Sequence, residues 1–471
     1  MNEQVLRLCE AVRGAGGRAM LVGGWVRDYL LGVESKDFDV EVYGVEPRRL
    51  RGVLETLGQV NTVGEHFSVY KLTFRNSESI SPPAGHQTEV SSLKSQPGDR
   101  FEIDVSIPRR ESKSGRGHRA FVIEGDPTMS FQEAARRRDF TINAILYDPL
   151  AGELVDPFGG ARDLEMRVLR AVAGDTFIED SLRVLRAVQF AARFEMTVES
   201  ETAELCRRID LADLPRERVW GEVEKLLTLA ERPSVGLDTA LDLGVLDKLL
   251  PEVRALVGCL MGAGPDPGPD AFTHTKRSID EAVKLTRDLP AARRISVMLA
   301  ALCSDLGRPF ARPGDQSFDY GGAGVGPAEA VINRFGIYTF DGYNVRAQAP
   351  ALVREHLRPQ DFYQKRDRVT DGDFRRLARS VSLDLLYRVA KAHGLGLGRP
   401  PVAEEWFIER ARALGVDQGP PAPLLQGRHL LAAGFAPGSR MGEVLRRVYE
   451  LQLDGEVTSL EEALAAARRS D

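Results

Sequence analysis

The stretch Leu21–Gly44, LVGGWVRDYLLGVESKDFDVEVYG, decides how the chain is read. The apolar run Ala19–Val22 leads into a glycine pair, Gly23-Gly24, which opens a helical segment, Trp25–Leu31. Such a strand–turn–helix step lets backbone N–H groups approach a phosphate, and the helix start adds a favourable dipole. The same pair also suits a tight turn chosen for sterics alone. Asp37 and Asp39 follow, the second inside Phe38–Val42, which alternates with the period of a strand. Residues i and i+2 of a strand share a face. Two carboxylates there repel unless a cation lies between them, and magnesium binds carboxylates together with substrate phosphates. A solvated polar face is the other reading of the pair.

Working outward, Gln4–Gly14 and Pro47–Leu57 read as helices, and Val69–Phe74 and Phe101–Ser106 as strands. The last strand carries Asp104 within FEIDVSIPRRE (101–111), an acid on an apolar alternation. Alone it also suits an edge-strand charge. Together, the glycine pair, the Asp-x-Asp and the later strand acid form the arrangement for two-metal nucleotidyl transfer, more specific than any part. Arg27 stands where it could neutralise phosphate charge. Residues 75–100 are rich in Ser, Pro and Gly and read as a mobile surface insertion. Residues 110–128 read as a second loop, with Gly and Arg. From about Ser130 strands nearly disappear, and Ser130–Arg137, Phe177–Phe194, Ser200–Ile209 and Arg216–Leu229 read as helices. The expected fold is an α+β head, a small mixed sheet with flanking helices, followed by an all-α neck, body and tail. The expected boundaries are 1–150, 151–230, 231–385 and 386–471.

At 471 residues the chain has room for two to four domains with real apolar cores. Its net charge of −6 gives no global basic field, although arginine, suited to bidentate phosphate contacts, far outnumbers lysine. The four cysteines, Cys9, Cys206, Cys259 and Cys303, are scattered without a CxxC pair. That excludes a zinc ribbon or disulfide scaffold and points to a reducing compartment. No run reaches membrane-spanning length without charge, and MNEQVLRLCEAV has no apolar signal core. A cytoplasmic protein with no membrane and no obligate protein partner is expected.

LVGGWVRDYLLG…KDFD resembles the signature of the class II tRNA nucleotidyltransferase and bacterial poly(A) polymerase family. RRRDFTINAILYDP (136–149) is similar to the family's second motif, LVDPFGGARDL (154–164) to its hinge element, and FIEDSLRVLRAVQFAARF (177–194) to its base-reading helix. PRERVWGEVEKLL (215–227) and the segment 427–459 are similar to later motifs, so the resemblance covers most of the chain. It implies that Asp37 and Asp39 hold magnesium and that Asp104 helps deprotonate an RNA 3′-hydroxyl. It further implies phosphate contact from Arg138, ribose 2′-OH contact from Asp139, and support of the same pocket by Asn143. The bland reading of RRRD is a solvated helix end.

Asp180 and Arg183 also carry a chemical argument. At i and i+3 of a helix they share one face. Aspartate offers only acceptors and arginine only donors. Cytosine and adenine present an amino donor beside a ring acceptor, whereas uracil and guanine reverse that order. The pair therefore accepts C and A without a nucleic-acid template. A surface salt bridge is the alternative. Arg186 extends the face toward phosphate or base, and Gln189 stands where many members have a further arginine.

AFTHTKRSIDEA (271–282) and LAALCSDLGRPF (299–310) resemble remnants of an HD-type phosphohydrolase domain. His274 and Asp305 are present, but Ser304 replaces the histidine before the aspartate, and no histidine lies between His274 and His356. Two ligands rarely hold a catalytic metal, so a structural or RNA-supporting remnant is expected, with His356 packed or RNA-facing. The resemblance implies a template-independent CCA-adding enzyme that acts on the tRNA 3′ acceptor end with CTP, ATP and Mg2+. The runner-up is an A-adding or CC-adding partial enzyme or a bacterial poly(A) polymerase. The ending ALAAARRSD, without a long basic tail, disfavours the polymerase.

Overall fold

The computed structural model describes residues 1–35, 37–62, 69–74, 101–113, 121–261, 268–311 and 318–469. The expected insertion at 75–100 lies outside them. The described chain divides into two compact units, Met1–Arg183 with Met196–Ile209, and Val184–Glu195 with Asp210–Asp471.

The first unit is built on a mixed sheet. Its strands are β1 (Arg18–Val22), β2 (Asp39–Tyr43), β3 (Gly58–Thr62), β4 (Val69–Phe74), β5 (Glu102–Ser106), β8 (Leu146–Asp148) and β9 (Glu153–Val155), in the order β3-β4-β5-β2-β1-β8-β9. Among the described residues, β2 and β5 form the one parallel pair of this sheet. A separate antiparallel hairpin, β6 (Arg109–Lys113) and β7 (Phe121–Gly125), occupies much of the span expected to be a loop. Strand alternation was hidden there by the polar run RRESK, which no apolar period marks. The short β8 and β9 likewise extend the sheet beyond Ser130.

Period-two alternation sorts the side chains of this sheet. Leu21 of β1, Val40 and Val42 of β2, and Ile103 and Val105 of β5 enter one core with α1 (Glu3–Gly14), α2 (Gly24–Leu30) and α3 (Pro47–Leu57). Met20, Val22 and Tyr43 enter a second core, which includes Ala134 and Ala135 of α4 (Phe131–Arg136). Asp39, Glu41 and Asp104 alternate with the first set and therefore face the second side. Trp25 stacks on Phe38 at 5.6 Å between centroids, tying α2 to the residue between the two aspartates.

The segment expected as one helix from Phe177 is broken. Gly174–Phe177 forms a single turn (α6, after α5 at Gly160–Glu165), and α7 begins at Leu182 and runs to Phe194. The division into units falls within α7.

Among the described residues the second unit is helical, without a named strand. Its core includes Ala271–Leu285, Ala291–Cys303 and Leu383–Gly396, and the last helices close a separate cluster around Leu430, Val448 and Ala463. Among the described residues no helix is long and apolar enough to cross a membrane.

Candidate active site

The register of the parallel pair sets Asp39 directly beside Asp104. Both are exposed, as is Asp37, which precedes the strand. Phe38 O accepts from Asp104 N at 3.2 Å, so the ladder continues one residue before β2 and fixes the Asp-x-Asp against β5. Desolvation pushes the Asp39 carboxyl above its ordinary range. Arg138 opposes this, and the charges of Asp104, Asp37 and Glu41 add to it. A carboxylate raised by other carboxylates is a place where a cation is stabilising.

Gly23 has φ +70°, and a Cβ there would lie 3.2 Å from Arg138 Nη1 and 3.7 Å from Asp39 Oδ2. The glycine thus supplies a left-handed turn and lets a guanidinium and a carboxylate approach the same point. A Cβ on Gly24 would lie 3.5 Å from Arg27 Nη2.

Behind this point is a buried relay. Arg27 donates through Nε and Nη2 to Asp28 Oδ1, at 2.8 and 2.6 Å, and through Nη1 to Asn143 Oδ1 at 2.9 Å. Asn143 Nδ2 donates to Asp139 Oδ1 at 3.0 Å, and the same oxygen accepts from Phe140 N at 2.8 Å. Arg27, Asp139 and Asn143 are all buried, so these contacts brace the glycine turn against the RRRD segment. Arg138 itself is half-buried and donates through Nη1 to Asn143 O at 3.4 Å.

Asp180 lies ahead of α7 rather than within it. Its Oδ1 accepts from Leu182 N at 3.1 Å, as at a helix start. Arg183 lies in the first turn and donates to Thr176 O at 2.7 Å and Arg137 O at 2.5 Å. The two side chains are therefore set by a broken helix, not by the continuous i, i+3 face expected from the spacing. Arg186 lies over the ring of Phe190, 5.0 Å from its centroid. Gln189 is buried, and its Oε1 has no hydrogen-bond partner among the described residues.

Glu41 escaped the sequence reading. It is 1 % exposed and lies two residues after Asp39 on the same face of β2. Tyr43 Oη donates to Glu41 Oε2 at 2.7 Å, and Arg137 Nη2 and Arg138 Nη2 stand 3.4 and 3.7 Å from its oxygens. The signal was in the sequence, because Asp37, Asp39, Glu41 and Tyr43 continue one alternation.

The second unit contains another ionisable cluster. His274, Asp305 and His393 are fully buried and close enough to share an ion. The ligand count expected from sequence therefore needs correction, since His393 joins from 119 residues beyond His274. His274 Nδ1 meets Asp305 Oδ2 at 2.5 Å, and Arg308 Nε donates to Asp305 Oδ1 at 2.5 Å. His356 is buried as well, with its ring centroid 4.8 Å from that of His393. Burial pushes Asp305 up, but the histidines around it hold it well below the usual carboxylate range. Burial lowers His393 to about 3 and lowers His356 as well. This carboxylate already has an arginine as its counter-ion.

Comparison with known proteins agrees with the first unit's geometry. The model of the poly A polymerase head domain matches residues 19–170, and that of the "probable RNA and SrmB- binding site of polymerase A" matches residues 195–256. A multifunctional CCA protein of Xanthomonas campestris pv. campestris is 34% identical over 441 residues, 90% of this chain and 95% of the relative. One from Stenotrophomonas maltophilia is 38% identical over 356 residues, 74% of this chain and 77% of the relative. The Bacillus stearothermophilus CCA-adding enzyme in complex with CTP shares the fold with a TM-score of 0.66 at 20% identity, covering 100% of this chain and 98% of that one. The Thermotoga maritima CCA-adding enzyme complexed with tRNA does so at 0.60 and 20%, covering 100% and 96%. With a three-carboxylate face, a glycine turn and relatives of this identity and coverage, the chain belongs to the CCA-adding nucleotidyltransferase family.

Proposed function

We propose that the chain is a template-independent tRNA nucleotidyltransferase that adds CMP, CMP and AMP from CTP and ATP to the tRNA 3′ end. The observation that carries this reading is the pairing of Asp39 with Asp104 across the parallel strands, beside Gly23 and Arg138. The 3′-oxygen forms a bond to the α-phosphorus, the bond to pyrophosphate breaks, and the hydroxyl proton leaves. Asp104 takes that proton or orders the group that does. Arg138 meets phosphate, and Asp139 with Asn143 holds the ribose side.

Asp37 and Asp39, with Asp104 adjacent, would hold magnesium. The set fits a hard divalent cation, because the donors are all oxygens, and Asp39 is raised first by desolvation and further by the neighbouring carboxylates. Such a cation supplies charge neutralisation at the triphosphate and at the attacking oxygen.

Asp180 and Arg183 choose the base. Arg183 donates to two backbone carbonyls in this structure, which fix its guanidinium and leave N–H donors over for a base edge. In this reading residues 1–150 are the catalytic head, 151–230 the base-recognising neck, 231–385 a degenerate HD-like body and 386–471 a tRNA-binding tail. The setting is the cytoplasm.

The test uses tRNA transcripts ending at the discriminator base, at C and at CC, with CTP and ATP separately and together. CTP alone should add two residues to the first, and ATP alone should add one residue to the CC form only. A long A ladder would assign a poly(A) polymerase instead.

A further inference from the structure

Arg138 stands between two acids of one strand. Its Nη1 and Asp39 Oδ2 border the same point over Gly23, and its Nη2 lies 3.7 Å from Glu41 Oε2. Asp39 and Glu41 share a face of β2 but differ in setting, since Asp39 is exposed and Glu41 is 1 % exposed. The Glu41 carboxylate is anchored by the Tyr43 hydroxyl at 2.7 Å and flanked by Arg137 at 3.4 Å. A guanidinium beside an exposed aspartate ordinarily closes on it as a bidentate pair. Such a pair would neutralise Asp39 and displace a metal ion. A buried, anchored acid two residues further along the strand offers the guanidinium a second partner and draws it back.

We propose that Glu41 is a positioning residue, which holds Arg138 off Asp39 so that the aspartate stays open to a divalent cation while the arginine stays aimed at phosphate. Tyr43 fixes Glu41 in turn. The inference rests on the metal-dependent transfer reading above and extends it to a residue that does not touch the reacting atoms.

The test is equilibrium binding of Mn2+, followed by electron paramagnetic resonance, on wild type, Glu41→Gln, Arg138→Ala and the double variant. Removing the Glu41 charge should weaken Mn2+ binding roughly two- to fivefold, the size of a partly exposed ion pair. Arg138→Ala in the Glu41→Gln background should restore it, because the competing guanidinium is gone. A merely structural or long-range charge role for Glu41 predicts that Arg138→Ala changes affinity by the same factor with and without Glu41, whereas the competition predicts a larger gain in the Glu41→Gln background. Tyr43→Phe, which keeps the ring and loses the anchor, should weaken binding in the same direction by less, and it serves if Glu41→Gln fails to fold. Unchanged Mn2+ affinity in Glu41→Gln, or no rescue in the double variant, overturns the proposal. Failure of the wild type to extend any transcript, with the Mn2+ pattern intact, would instead overturn the transfer reading alone.

Discussion

The two units each gather acids with basic partners, and they do so in opposite ways. Asp37, just before β2, and Asp39 and Asp104, on β2 and β5, are exposed, and Asp39 is raised by desolvation and by the other carboxylates. In the second unit, Asp305 is completely buried, paired with Arg308 and His274, and held low. The first cluster leaves negative charge to be met by something from outside. The second is charge-balanced from within. Proximity of ligand-type residues is common to both, so proximity alone does not distinguish a reactive centre from a polar core. Charge left over and open to solvent does.

The largest expected effect lies in the first cluster. Replacing both Asp37 and Asp39 with Ala should abolish nucleotide addition, and so should chelation of divalent cations with EDTA, with addition restored by excess Mg2+. Asp104→Asn should lower turnover by about 10²–10⁴-fold in single-turnover assays, the range for a positioned acid or base. Undiminished turnover in either case would remove the three-carboxylate account.

The second cluster should answer in stability rather than in rate. Arg308→Ala leaves the buried Asp305 short of a counter-ion and should cost about 3 kcal/mol in denaturant unfolding. Acid should act the same way. His393 and His356 have folded pKa values below the ordinary 6.5, His393 at about 3. A histidine held neutral in the fold binds its proton more readily when unfolded. Its contribution is fully present above about 6.5 and is lost progressively as pH falls toward the folded value. The melting temperature should therefore drop between pH 7 and pH 4, and a melting temperature flat across that range would contradict the burial of neutral histidines. The smallest effect is at the turn. Gly23→Ala places a Cβ at φ +70°, 3.2 Å from Arg138 Nη1. It should cost about 1–2 kcal/mol of stability and raise the KM for CTP.

Much of this was legible in the sequence because it depends on short-range periodicity. Asp39 and Asp104 each sit in an alternating run, and the shared face follows from that period once the strands pair. What stayed hidden depends on distant partners or on local breaks. Glu41 went unremarked because its partner Arg137 lies 96 residues later. His393 carries no motif of its own and becomes a neighbour of His274 only through helix packing. The helix break at Ile178–Ser181 interrupts a segment with no Gly or Pro, and its one signal is the helix-start pair Asp180-Ser181. The polar hairpin β6–β7 lacks the apolar period by which strands are found.

The most direct measurement sets the two clusters side by side. Asp39→Asn and Asp305→Asn are compared for CMP incorporation from CTP into a transcript ending at the discriminator base, normalised to the folded fraction of each variant. The account predicts a loss on the order of 10³-fold for Asp39→Asn and wild-type turnover per folded molecule for Asp305→Asn. Retained transfer in Asp39→Asn, or an equal loss in folded Asp305→Asn, would contradict it.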